Sequence, residues 1–131
     1  MNIMARIKVN YESQAKLFKV LMHPARLAIL DVLGTNEACV CHLEAALGYR
    51  QAYLSQQLMV LREAGIVDDR RDGWNVYYRV RKTGVLNVMD AARQALGERR
   101  RADVPAILDT CTCPHCAGDT TSEPAALANA V

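Results

Sequence analysis

The chain lacks several features that would take it out of the ordinary globular class. No apolar run approaches the ~18–20 residues that a membrane helix requires, so no membrane partner is expected. The opening MNIMARIKVN has neither a long apolar segment nor a small-residue cleavage site, and no secretory signal is expected. Cysteines are not even in number: there are five, which excludes a closed disulfide scaffold and suits a reducing cytoplasm. No nucleophile–base–oxyanion set is visible, so no catalytic activity is expected. Basic residues are missing from one end. All 16 Lys and Arg lie in 1–101 beside ten of the 14 acids, a net +6, whereas 102–131 carries only Asp103, Asp109, Asp119 and Glu123, a net −4. The overall +2 therefore hides a basic body with an acidic tail, the asymmetry expected of a body that meets a polyanion. A length of 131 residues at 51% apolar content suits one domain with its own core.

What is present is mostly helical spacing. Residues 11–21 place Leu17, Phe18, Val20 and Leu21 on one face. Pro24 suits the first turn of a second helix, PARLAILDVL, which stops at Gly34. Thr35-Asn36 reads as a polar link. Residues 39–47 form a short helix closed by Gly48, and 51–64 form another, with Leu54, Leu58 and Leu61 inward and Gly65 as its stop. The period then turns to alternation: Ile66-Val67 opens a strand, Asp72-Gly73 marks a turn, and NVYYRV returns. A last helix is expected from Val85 to Arg100, with Leu86, Val88, Met89, Ala92 and Leu96 as its stripe. Beyond Arg101 the composition shifts to Ala, Thr, Pro, Gly and Asp.

The expected fold is mainly α with a small β-hairpin: a winged helix-turn-helix of order ααααββα, dimeric, over 1–101, followed by a cysteine-containing tail over 102–131. Two short helices around Gly48 are what a major-groove reader requires. With 51–64 as the recognition helix, its outward arc offers Gln51, Tyr53, Ser55 and Gln56 to base edges or phosphates. Arg50 and Arg62 flank the arc, and Arg70, Arg71 and Trp74 stand on the wing. A domain of this size reads few base pairs, so specific binding is expected to need two half-sites about one DNA turn (~34 Å) apart, hence a homodimer on a palindromic operator. The first and last helices are the natural dimer elements.

Four ordered motifs resemble the ArsR/SmtB family of bacterial and archaeal winged-helix repressors that sense metals. They are His23-Pro24-x-Arg26, Cys39-Val40-Cys41-x-Leu43, Leu54-Ser55-x-x-Leu58-x-x-Leu61-Arg62-x-Ala64-Gly65 and Val76-Tyr77-Tyr78, and the resemblance spans about residues 11–100. It implies a homodimer that binds an operator when ligand-free and releases it when an inducer binds. One group of the family binds zinc or nickel through Asp, His and Glu of the last helix; here Lys82, Gly84 and Ala95 occupy the aligned positions, so that site is absent. A second group uses a Cys-Val-Cys before the recognition helix, which Cys39-Val40-Cys41 matches. Arsenic and antimony sensors of that type add a third Cys three residues on, where this chain has Glu44.

Thiolates select soft ions, As(III), Sb(III), Cd(II), Pb(II) and Zn(II): trivalent arsenic takes three sulfurs in a pyramid, whereas cadmium or zinc usually takes four ligands. Arsenite or antimonite is the first expectation as inducer. Cys39 and Cys41 supply two sulfurs, and Cys111, Cys113 and Cys116 are expected to complete the set; His42 and His115 could each serve as a fourth ligand but read first as bystanders, and His23 reads as structural. In an ideal helix i and i+2 point ~200° apart, so joint ligation demands a frayed or distorted helix start. Two alternatives stand beside metal sensing: a redox or sulfide sensor that bridges its thiols, and a structural zinc knot in the tail. A thiol oxidoreductase through Cys113 and Cys116 is remote, because no buried strand precedes the motif and no long helix follows it.

Overall fold

The computed structural model describes residues 3–98. Its elements run α1 (Ile3–Leu21), α2 (Pro24–Leu33), β1 (Glu37–Cys39), α3 (Val40–Leu47), α4 (Gln51–Glu63), β2 (Val67–Asp72), β3 (Asn75–Val80) and α5 (Gly84–Ala95). The expected order of helices and hairpin is present, with one strand added. β1 pairs antiparallel with β3, and the sheet order is β1-β3-β2. Three residues are too few to show a period in the sequence, and Cys39 belongs to this strand rather than to the expected helix over 39–47.

The core forms where the leucine-rich faces of α2, α3 and α4 meet the inner face of the sheet. Ile29, Leu30, Leu33, Leu43, Leu54, Leu58 and Leu61 are buried, as are Ile66, Val67 and Val80. Burial of a Leu or Ile side chain contributes about 1.5–3 kcal/mol, so this cluster dominates what holds the domain together. Val85 and Met89 close it from α5. An ion-pair triad adds a polar fastening: Arg93 of α5 donates to Asp31 of α2 at 2.6 Å and to Asp90 at 2.7 Å.

Turns follow local chemistry. The hairpin closes on Gly73, whose φ of 61° gives the positive dihedral that a tight two-residue turn needs at its first central position. α5 ends at Ala95 rather than continuing to Arg100. Gly97, at φ 72°, donates to Gln94 O at 3.0 Å while Glu98 N–H donates to Arg93 O at 2.9 Å, the doubled bonding that closes a helix at a left-handed glycine. Only Val85 and Met89 of α5 are buried; Leu86 and Val88 are half-buried, and Ala92 and Leu96 face outward. Tyr11, Phe18 and Met22 are exposed on and just after α1. Exposed apolar groups thus stand at the two helices outside the helix-turn-helix, as well as at Met59 of α4 and Trp74 of the wing.

Candidate nucleic-acid interface and thiol pair

α4 presents one face to the core and one to solvent. Leu54, Leu58 and Leu61 point inward as their spacing requires, and Gln57 joins them. Arg50 is the N-cap and makes no side-chain cap bond, so the first-turn amides have no side-chain acceptor from it and suit a phosphate. Gln51 and Gln56 are exposed and Ser55 is half-buried. Tyr53 is half-buried: its ring lies 5.3 Å from that of Tyr49, and its hydroxyl is 3.5 Å from His23 Nε2. Ala52 and Met59, the latter 52% exposed, share the outward arc with Gln56. Sequence reasoning passed over them because apolar residues are assigned to cores by default. An Ala or Met there has the chemistry to meet a thymine methyl.

The wing separates its two arginines. Strand alternation puts Arg70 opposite Tyr77 and Arg71 opposite Val76, on opposite faces of the sheet. Arg70 forms a fork-to-fork pair with Glu37 of β1, with Nε to Oε2 at 2.8 Å, and its guanidinium lies 4.8 Å over the Tyr77 ring. The Glu37 carboxylate raises the Arg70 pKa further above its ordinary value. Arg71 is exposed, and Trp74 at the tip is fully so, at 101%. Arg62 is exposed at the end of α4 and sits 3.5 Å from Asp69. A second cross-strand pair, Arg79 Nε to Asp68 at 2.8 Å, holds the base of the wing.

The two thiols converge. Cys39 is buried, the last residue of β1 and the N-cap of α3, at φ −83° and ψ 167°. Cys41 is exposed, one residue into the helix, and the Sγ atoms lie 2.7 Å apart. The expectation that both cysteines sit in one helix and point apart is thus corrected. Pairing of Cys39 with Tyr77 holds it extended, so the unfavourable i, i+2 helical angle never arises. Cys39, Tyr77 and Arg70 form one row across the three strands, on the face away from Val67 and Val80. Glu44, at the position of a third sulfur, is exposed and His42 is half-buried. Among the described residues no group of three or more His, Cys, Asp or Glu side chains is placed to hold a metal. Cys111, Cys113, Cys116 and His115 lie outside the described residues. Also among the described residues, no helix is long and apolar enough to cross a membrane.

Comparison with known proteins agrees with this geometry. Residues 23–69 match the family model described as bacterial regulatory protein, arsR family. The chain is 34% identical to the arsenical resistance operon repressor of Escherichia coli over 109 residues, covering 80% of this chain and 90% of that one. It is 48% identical over 77 residues to the biofilm growth-associated repressor of Agrobacterium fabrum, covering 59% of this chain and 66% of that protein, just under two thirds. The crystal structure of the transcriptional repressor BigR from Xylella fastidiosa superposes with a TM-score of 0.63 at 33% identity, covering 74% of this chain and 99% of that one. A helix pair with an open recognition face, a charged hairpin beside it and these relatives lead to one assignment: the chain belongs to the ArsR/SmtB family of winged-helix transcriptional repressors, DNA-binding regulators and not enzymes.

Proposed function

We propose that this repressor is a cytoplasmic homodimer on a palindromic operator, released when a soft metal or metalloid binds thiolates at Cys39 and Cys41. As(III) or Sb(III) is the first inducer, with Cd(II), Pb(II) and Zn(II) behind. The supporting observation is the convergence of the two sulfurs at the β1–α3 junction. That junction adjoins both DNA-contacting elements. α3 leads through a short turn to Arg50 and Gln51, while β1 is paired with β3 of the wing and tied to Arg70 through Glu37. An ion held by both sulfurs would act on this junction, from which one route leads to the recognition helix and the other to the wing. Cys111, Cys113 and Cys116 supply the third and any fourth sulfur. The inducer must bind the DNA-incompetent form more tightly, and DNA then weakens inducer binding by the same factor.

Anaerobic titration of the reduced protein with arsenite, cadmium and zinc, following operator release and thiolate absorption, ranks the inducers. Release by an oxidant or polysulfide with none by any metal overturns the metal reading. The second reading is that oxidation switches the protein. It draws on the same approach of the Cys39 and Cys41 sulfurs, which places the two thiols within reach of each other. In that case Cys39 and Cys41 each lose a proton and together give two electrons to a peroxide or polysulfide as their sulfurs bond.

A further inference from the structure

The His23–Arg26 corner between α1 and α2 makes two polar contacts with the recognition helix. His23 accepts the Ala25 N–H through Nδ1 at 3.2 Å, capping α2, and its Nε2 faces the Tyr53 hydroxyl at 3.5 Å. Arg26, half-buried in the first turn of α2, donates from Nη1 to the Val20 carbonyl at 3.0 Å and from Nε to Gln57 Oε1 at 2.9 Å. Val20 lies in the last turn of α1, where carbonyls have run out of helical donors. Gln57 is only 8% exposed and stands among the leucines of α4. Tyr53 and Gln57 are i, i+4 on one face of α4 and meet His23 and Arg26, i, i+3 across the corner. One planar guanidinium therefore satisfies acceptors on two helices. A Lys gathers its three donors on one nitrogen with no fixed fork, so it does not reproduce two bonds made from separate nitrogens.

We infer that Arg26 is a positioning residue for operator recognition: it fixes the angle of α4 against α1, and so the half-site spacing that the dimer accepts. This rests on the proposed dimeric reading, in which α1 belongs to the subunit interface. Rotation of α4 about its leucine face is opposed by the close packing of the core, although apolar burial itself is non-directional. Such rotation is opposed further by a charge-assisted hydrogen bond to a buried amide, because breaking that bond leaves a desolvated polar group. Arg26 never touches DNA in this account; it acts through Gln57.

The test uses a duplex selected from a random pool by the wild-type protein, versions with its half-sites moved one base pair closer or further, and a scrambled duplex. Arg26→Lys is expected to bind the selected duplex about tenfold or more weaker, the worth of one charge-assisted bond to a buried acceptor. Its affinity for scrambled DNA stays unchanged, and its penalty for altered spacing shrinks. Sedimentation and circular dichroism check dimer and fold. If Arg26→Lys does not fold, Arg26→Met with Gln57→Leu removes both polar partners and keeps apolar volume; it too should lose spacing discrimination. Wild-type discrimination in whichever variant folds overturns the inference, as does an equal loss on scrambled DNA. A wild-type protein indifferent to spacing overturns the dimeric reading instead, whatever Arg26 does.

Discussion

At the residue scale the two cysteines are chemically alike and physically unlike. Cys39 is buried at the end of β1, whereas Cys41 stands exposed on the first turn of α3. Serine at 39 therefore sets a hydroxyl where the apolar sulfur was, at a cost of about 1–3 kcal/mol. Serine at 41 should leave stability within about 0.5 kcal/mol of wild type. Urea unfolding of the reduced proteins checks both figures, and both variants should fail to respond to inducer while Cys41→Ser still binds operator DNA. Equal stability of the two variants would place Cys39 in a more open setting than the strand–helix junction gives it. A large folding loss in Cys41→Ser would instead favour a structural role for that thiol.

At the element scale the wing is a set of cross-strand pairs with different duties. If the exposed Arg71 meets a phosphate as proposed, Arg71→Ala should lower the slope of log affinity against log salt by about one. Arg70→Ala should act differently. It removes the tie to Glu37 on the thiol-bearing strand, so the inducer concentration for half release should move, and a variant that changes only the salt slope would count against coupling through β1. Asp68 and Arg79 hold the hairpin base. The hydrogen bond from Arg79 lowers the Asp68 pKa below its ordinary 3.8. The sign follows: the pair's contribution is fully present above pH 3.8 and is lost as pH falls through the lowered value. Asp68→Asn should thus be slightly less stable than wild type at neutral pH and equal to it in strong acid. Arg79 is exposed and Asp68 only half-buried, so the effect is small.

At the scale of the whole molecule, a +6 body and a −4 tail should act in opposite directions on DNA. Ending the chain after Arg101 changes the formal charge from +2 to +6 and removes three of the five cysteines. The shortened protein should bind scrambled duplex more tightly at low salt, because acidic residues near a basic surface compete with phosphates. It should also need far more arsenite for release, since two sulfurs remain where a pyramidal ion takes three. Affinity measured across a salt series, with and without arsenite, separates the two effects. Unchanged induction would remove the tail from the inducer site and favour chemistry confined to Cys39 and Cys41.

The sequence alone determined what depends on neighbours a few residues apart. Leu54, Leu58 and Leu61 at helical spacing announced the inner face of α4, Asp72-Gly73 announced the hairpin, and Cys39-Val40-Cys41 announced the thiol pair. Gly97 carried the end of α5 just as plainly, yet the apolar stripe through Leu96 outweighed it in the reading. Tertiary structure decided what depends on residues far apart in the chain. Glu37–Cys39 becomes a strand only because β3, some 40 residues on, offers it an edge. Arg26 meets Gln57 across 31 residues, and Arg70 meets Glu37 across 33. Such pairings leave no local period, because the partners are selected by the packing of whole elements. The same distinction applies to the cysteines: their spacing proclaimed a shared ligand, but only the strand on one side and the helix on the other turned both sulfurs toward a common point.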